Sequence, residues 1–224
     1  MKGIILAGGR GTRLSPLTNI TNKHLLPVYM KPMIEYPLQT LIDCGCKEIL
    51  IVTGGEHVGK FAEYLGNGER YGVDITYKVQ NEADGIASAL ALAKNFVDKH
   101  ETFPVILGDN YFETHPHVPP EPTIFLSSVN DARRFGVYDP DTNKVVEKPD
   151  IDNGWAVVGF YVYNYSVFDY IPTLNKSARG EYEITDINNW YLSKGAEAYQ
   201  YKGFWRDMGT PDTLMEVANR VKQL

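Results

Sequence analysis

Apolar positions in the first hundred residues alternate between two textures. The runs KGIILA, KEILIVTG, DITYKVQ and FPVILGD, at residues 2–7, 47–54, 74–80 and 103–109, are short and either continuously apolar or rich in β-branched residues, which is the pattern of strands. Between them PMIEYPLQTLIDCG, HVGKFAEYLGNG and DGIASALALAKNFVDK, at residues 32–45, 57–68 and 84–99, repeat their apolar residues at helical spacing. Strands alternating with helices of this length predict βαβ units and a parallel sheet. Ligands of such sheets lie beyond the carboxyl ends of the strands. After Asp109 the pattern changes to strand-like pieces, TIFLSSV, FGVYD, KVVEKP and AVVGFYVYNYSVFDYI, separated by short turns. RGEYEITDINNWYLSKG restores a helix, and the chain closes with EAYQYKGFWRDMG and a last helix from Pro211. The fold predicted is α/β, with a Rossmann-like, mostly parallel sheet flanked by helices.

The 224 residues, 43% of them apolar, can bury a substantial core and fit one domain, whose texture changes after about residue 110. A net charge of −6 argues against a nucleic-acid partner. No apolar run approaches the ~20 residues of a membrane span. The N-terminal run is interrupted too early, by Gly8 and Arg10, to read as a signal peptide, so a cytoplasmic location is expected. Cys44 and Cys46 sit two apart, poorly placed to bridge each other and without a second pair for zinc, and read as reduced thiols at a helix end. His115 and His117 flank Pro116 in a proline-rich stretch with no third ligand nearby, so they read as loop residues.

The candidate chemistry begins at the end of the first strand. Gly8, Gly9 and Gly11 are followed by Thr12 and Arg13, and Lys23 comes ten positions after Arg13. Glycines let backbone N–H groups approach an anion, a following helix N-terminus adds favourable dipole, and cations flank the loop. Neither the lysine and hydroxyl of a P-loop nor the third glycine of a dinucleotide fold stands at the required offset. The loop alone is equally consistent with a tight turn carrying two surface cations. Asp109 and Asp207 each end a strand-like run, where an aspartate either starts a turn or offers a hard oxygen to Mg²⁺.

Taken together, LAGGRGTRLSPLT, NKHLLPV, KPMIEYPL, YKVQNEADGIASAL, VILGDNYF, RFGVYD, EKP, AVVGFYVY, RGEYEITDIN and FWRDMGTPDTL resemble the sugar-nucleotide pyrophosphorylases in the order in which that family has them. Within it they look most like the glucose-1-phosphate thymidylyltransferases. The resemblance runs from Met1 to about Arg220. It implies a nucleotide-diphospho-sugar transferase fold, with a nucleotide-binding half over about 1–110 and a sugar-binding half over about 111–224, and a reaction between a nucleoside triphosphate, dTTP or UTP, and a hexose 1-phosphate such as glucose 1-phosphate. It also implies Mg²⁺ held by Asp109 and Asp207, with Arg13, Lys23 and Lys148 as catalytic cations. Leu6, Gly8, Gly9, Gly11, Thr12, Gln80, Gly85 and Asn110 fall at nucleotide-binding or metal-adjacent positions. Gly136, Glu147 and Val157 fall at sugar-binding ones.

Two departures stand out. The chain ends soon after the helix that follows Asp207, so the resemblance implies no C-terminal regulatory helices and a monomer or homodimer. ETHPHVPPEPT replaces a helix with a proline-rich connection. Three other readings remain: the same reaction with CTP or another sugar phosphate, a non-catalytic nucleotide-sugar sensor, and a glycosyltransferase. The last is disfavoured because Asp109 is followed by Asn110 and Tyr111 instead of a second metal-binding aspartate.

Overall fold

The first apolar run forms a strand over its whole predicted length, Lys2–Ala7 (β1), in a computed structural model that describes residues 1–224. The chain divides into two compact units. One takes residues 1–83, 105–117 and 203–224, the other 84–104 and 118–202.

In the first unit the strands are β1, Pro27–Val28 (β2), Lys31–Pro32 (β3), Glu48–Gly54 (β4), Asp74–Gln80 (β5), Phe103–Leu107 (β6, in this unit from Val105), Asn110–Phe112 (β7) and Trp205–Asp207 (β13). The helices are Glu35–Asp43 (α1), Val58–Leu65 (α2) and Pro211–Val221 (α6). Strand β1 pairs in parallel with β6 on one side and β4 on the other, and β4 pairs in parallel with β5. Ile4, Ile5, Ile49, Leu50, Ile51, Val105 and Ile106 are fully buried. Burial on both faces is why these strands read as unbroken apolar runs, and each such side chain contributes about 1.5–3 kcal/mol. The four strands all end on the same edge, at Ala7, Gly54, Gln80 and Leu107, so the loops that follow them emerge together.

The glycine loop differs from expectation in one respect. No α-helix follows it. Three-residue 3₁₀ turns at Thr12–Leu14, Leu17–Asn19 and Lys23–Leu25 carry the chain to the β2–β3 ribbon. Gly11 is left-handed at φ 68°, while Pro16 and Pro27 donate no N–H and disfavour helical backbone at the residue before them. The turn is anchored by Leu14, which is buried among Leu26, Val28, Met33, Tyr111, Met208 and Val217. Helix α1 tolerates Pro37 in its first turn and stops at Cys44, with Gly45 left-handed at φ 88°. Both cysteines are free, beside the end of α1, and burial raises their thiols to about 12, which disfavours the thiolate.

The second unit holds Thr123–Val129 (β8), Gly136–Asp139 (β9), Lys144–Glu147 (β10), Gly154–Tyr163 (β11) and Glu197–Gln200 (β12). Its helices are Ile86–Ala91 (α3), Val167–Tyr170 (α4) and Ile184–Ser193 (α5). Strand β11 pairs antiparallel with β8 and β9, β9 with β10 antiparallel, and β8 with β12 in parallel. The pattern at 84–99 gives only six residues of α-helix. Beyond Ala91 the hydrogen bonds shift to the third residue back, as in Ala93 to Leu90 and Phe96 to Ala93. The long run from Ala156 splits because the Asn164 side chain accepts from the Ser166 N–H and hydroxyl, turning the chain before α4. Residues 113–122 contain no regular element, as the prolines predict, and no helix in the molecule is long and apolar enough to cross a membrane.

Candidate active site

Asp109 and Asp207 come together because of two strands too short to read from sequence. From Gly108 the chain turns into β7, against which β13 pairs antiparallel with Asp207 opposite Asn110. The Met208 N–H donates to the Asp109 carbonyl at 2.7 Å. Both aspartates are buried, at 8% and 7% exposure, deep for carboxylates unless cations attend them. The Lys23 ammonium donates to Asp109 Oδ2 at 2.5 Å, and Asn110 Nδ2 donates to Oδ1 at 2.9 Å. Trp205 Nε1 donates to Asn110 Oδ1 at 2.6 Å, so the Asn110 amide is fixed from both ends. Burial pushes the Asp109 carboxyl up, but the charge of Lys23 and the bonds from Lys23 and Asn110 outweigh it and hold it well below the usual carboxylate range.

The glycines make room for Lys23. A β-carbon at Gly9 would lie 3.2 Å from Lys23 Cε, and one at Gly11 only 2.8 Å from Lys23 Cβ. The Thr18 hydroxyl donates to the Gly11 carbonyl at 3.0 Å and closes the loop. Asn22 caps the turn that bears Lys23 by accepting from the His24 N–H and from its ring Nδ1–H. Burial, with Lys23 beside it, lowers His24 to about 3, so this imidazole is neutral. At the neighbouring turn, Asp207 Oδ2 and Arg13 Nη2 both lie within 3 Å of the point a β-carbon at Gly209 would occupy, 2.8 and 2.9 Å away. Two hard, buried carboxylates, Asp109 just before β7 and Asp207 at the end of β13, attended by cations, are the donor set that suits a divalent ion completing its shell with water and phosphate oxygens.

The remaining nucleotide-side residues fall as follows. Leu6 is buried in β1 and its carbonyl accepts from the Gly108 N–H at 2.9 Å, tying the glycine loop's strand to the Asp109 turn. Thr12 starts the turn that presents Arg13. Gln80 ends β5 opposite Gly54, and its side-chain carbonyl lies so close to Gly8 that any larger residue there would collide with it. Gly85, expected with these residues at a nucleotide-binding position, belongs to the second unit. Its φ of 120° is open only to glycine, and a β-carbon would strike the Tyr182 backbone. Gly85→Ala is therefore expected to cost about 2–3 kcal/mol and to lower the melting temperature by roughly 5–10 °C. Thermal denaturation checks this, and a variant melting with the parent contradicts it.

The second unit holds the residues expected on the sugar side. Gly136 and Glu147 are opposite each other in the β9–β10 register, and Val157 lies in β11, opposite Leu126. Lys148 follows β10 at φ 47°, an uncommon backbone for a residue with a side chain, and its N–H donates to the Phe135 carbonyl at 2.9 Å. Lys148 Nζ stands 3.6 Å from Glu147 Oε1. The sequence reading missed Arg179, whose guanidinium donates to that same oxygen at 3.0 Å and to Glu183 at 2.7 and 3.2 Å. It lies in the quoted RGEYEITDIN segment, and only the fold shows that it joins Lys148 on one carboxylate.

Comparison with known proteins places the chain in a family. A family model for nucleotidyl transferases matches residues 2–223. The chain is 40% identical to the glucose-1-phosphate thymidylyltransferase of Neisseria meningitidis, over 99% of its own length and 83% of that protein's. It is 39% identical to the protein of that name from Mycolicibacterium smegmatis, over 100% and 83%. A Bacillus anthracis crystal structure assigned as a glucose-1-phosphate thymidylyltransferase, in complex with sucrose, shares 44% identity at a TM-score of 0.90 and covers 100% of this chain and 96% of that one. A UDP-glucose pyrophosphorylase complexed with UDP-glucose shares the fold, at a TM-score of 0.83 and 23% identity over 99% and 98% of the two chains.

Proposed function

This chain belongs to the nucleotidyl transferase family, and from that premise we propose that it joins dTTP to glucose 1-phosphate, giving dTDP-glucose and pyrophosphate in the cytoplasm. The observation that carries the reading is the convergence of three distant segments, the glycine loop with Arg13 and Lys23, Asp109 after β6, and Asp207 after Trp205. The names of the relatives support the choice of base and sugar.

The sugar phosphate is ionised at neutral pH and is itself the nucleophile. One of its oxygens forms a bond to the α-phosphorus of the triphosphate while the bond from that phosphorus to the bridging oxygen of pyrophosphate breaks, with no net proton transfer. No protein nucleophile is needed. The chain's task is to place two anions in line and to stabilise the charge that moves onto the leaving group. Lys23 and Arg13 hold the triphosphate and its departing pyrophosphate. Lys148 and Arg179 hold the sugar phosphate, and Glu147 accepts hydrogen bonds from sugar hydroxyls. Asp109 and Asp207 fit Mg²⁺, which when bound neutralises phosphate charge.

The Gln80 amide, with one donor and one acceptor, is suited to the N3–H and O4 edge of a pyrimidine. Thymine and uracil share that edge, which favours UTP as a second accepted substrate. CTP presents an amino group where O4 accepts, and it is expected to be turned over at least ~10²-fold less efficiently, since a mismatched polar edge leaves buried groups unpaired. A panel of triphosphates against sugar 1-phosphates, read by pyrophosphate release, tests the whole reading. Turnover of dTTP with glucose 1-phosphate supports it. CTP preferred over dTTP overturns it, and nucleotide-sugar binding without turnover favours a sensor.

A further inference from the structure

Glu147 has three partners in the second unit, and they differ in kind. Arg179 and Lys148 reach Oε1 from side chains 39% and 43% exposed, so an incoming phosphate can draw them away. The Thr185 hydroxyl donates to Oε2 from α5, where Thr185 is 5% exposed. Four residues on, Asn189 accepts from the Val145 N–H at 2.7 Å and donates to the Val145 carbonyl at 2.9 Å. Strand β10 pairs with β9 along one side only, and the Asn189 amide takes the place of a second strand along the other. The spacings match. Four helical residues rise about 6 Å, and two strand residues span about 6.6 Å. Thr185 and Asn189 therefore reach Glu147 and Val145 together.

The helix that supplies them is itself held down. Asn188 accepts from the Tyr163 hydroxyl at 2.6 Å, and the Tyr191 ring stacks on Tyr163 at 5.0 Å. Gly136 seals the arrangement, because the position its β-carbon would take is 3.1 Å from Thr185 Oγ1 and 3.5 Å from Glu147 Oε2.

We propose that Thr185 is a positioning residue for sugar recognition: it keeps Glu147 Oε2 fixed while the sugar phosphate draws Arg179 and Lys148 off Oε1, leaving that oxygen to the sugar hydroxyls. Asn189 holds the strand in register for this. The proposal rests on the reading of Glu147 as the sugar's hydrogen-bond acceptor, and the test separates the two.

Thr185→Val keeps the shape and removes the donor. It is expected to raise KM for glucose 1-phosphate about tenfold or more, the usual effect of a lost bond to a charged group, with KM for dTTP unchanged. Thr185→Ser restores the donor and is expected to recover most of the loss. Thr185→Ala, which adds no methyl against Glu147, carries the same expectation as the valine. In a Glu147→Gln background, Thr185→Val is expected to add less than twofold, because a residue that acts only through Glu147 has nothing left to position. Glu147→Gln without effect on KM for glucose 1-phosphate overturns the reading of Glu147 and the proposal with it. Glu147→Gln impaired while Thr185→Val and Thr185→Ala behave as wild type overturns the proposal alone. So does equal impairment for both substrates, or a valine effect undiminished in the glutamine background.

Discussion

Asp207→Asn is expected to lower kcat at least ~10²-fold, the loss seen when a preorganised electrostatic group is removed from a transferring centre. Asp207 lies opposite Asn110 on a ribbon held by backbone bonds and the Trp205–Asn110 contact, and asparagine keeps the shape of the side chain, so the fold should survive the change. Asp109→Asn is expected to lose as much activity and also some stability, because it strips Lys23 of the carboxylate it sits on. Steady-state kinetics at ordinary Mg²⁺ together with thermal melts separate the two effects. Both variants turning over near the wild-type rate would remove these aspartates from the metal site.

The second large effect belongs to Lys23. Lys23→Met is expected to lower kcat/KM for dTTP about 10²–10³-fold, through loss of charge at the triphosphate and leaving pyrophosphate. Its other consequence is opposite in sign. The Lys23 ammonium donates to Asp109 Oδ2, a carboxylate that would also hold a divalent cation, and two cations on one buried carboxylate would repel. Removing the lysine should therefore raise the affinity of the nucleotide-free protein for Mn²⁺, measured by electron paramagnetic resonance or calorimetry. An unchanged Mn²⁺ affinity would mean that Lys23 and the metal do not compete for Asp109. An unchanged kcat/KM would remove Lys23 from the triphosphate.

The inner parallel strands of the first unit were legible because a strand buried on both faces must be apolar throughout, as Lys2–Ala7 and Glu48–Gly54 nearly are, whereas the edge strand Asp74–Gln80 is mostly exposed or half-buried and showed through its β-branched residues. The ribbons were not. Asn110–Phe112, Trp205–Asp207 and the Pro27–Pro32 hairpin are two or three residues per strand, too short for any period to show. That gap hid why Asp109 and Asp207 meet. Trp205 is buried, as aromatics usually are, and its N–H holds the Asn110 amide that donates to Asp109. The glycine loop looked like the entry to a helix because strand, glycines and a following apolar stretch usually are. Gly11, Pro16 and Pro27 turn it into 3₁₀ turns, and its positive charge comes from Arg13 and Lys23 without a helix dipole. On the sugar side, Thr185 and Arg179 gave no signal of their own. Their meaning lies in which oxygens of Glu147 they reach.

Whether this chain directs a sugar phosphate to the α-phosphorus of a nucleoside triphosphate is read from ³¹P NMR of a mixture of dTTP, glucose 1-phosphate and Mg²⁺. With the wild-type protein, the expected result is loss of the dTTP and glucose 1-phosphate signals and growth of the dTDP-glucose diphosphate and pyrophosphate resonances in equal amounts, with no such growth for Asp207→Asn. Formation of dTDP and inorganic phosphate, which means cleavage at the γ-phosphorus, would contradict the account, as would no change at all in the wild-type sample.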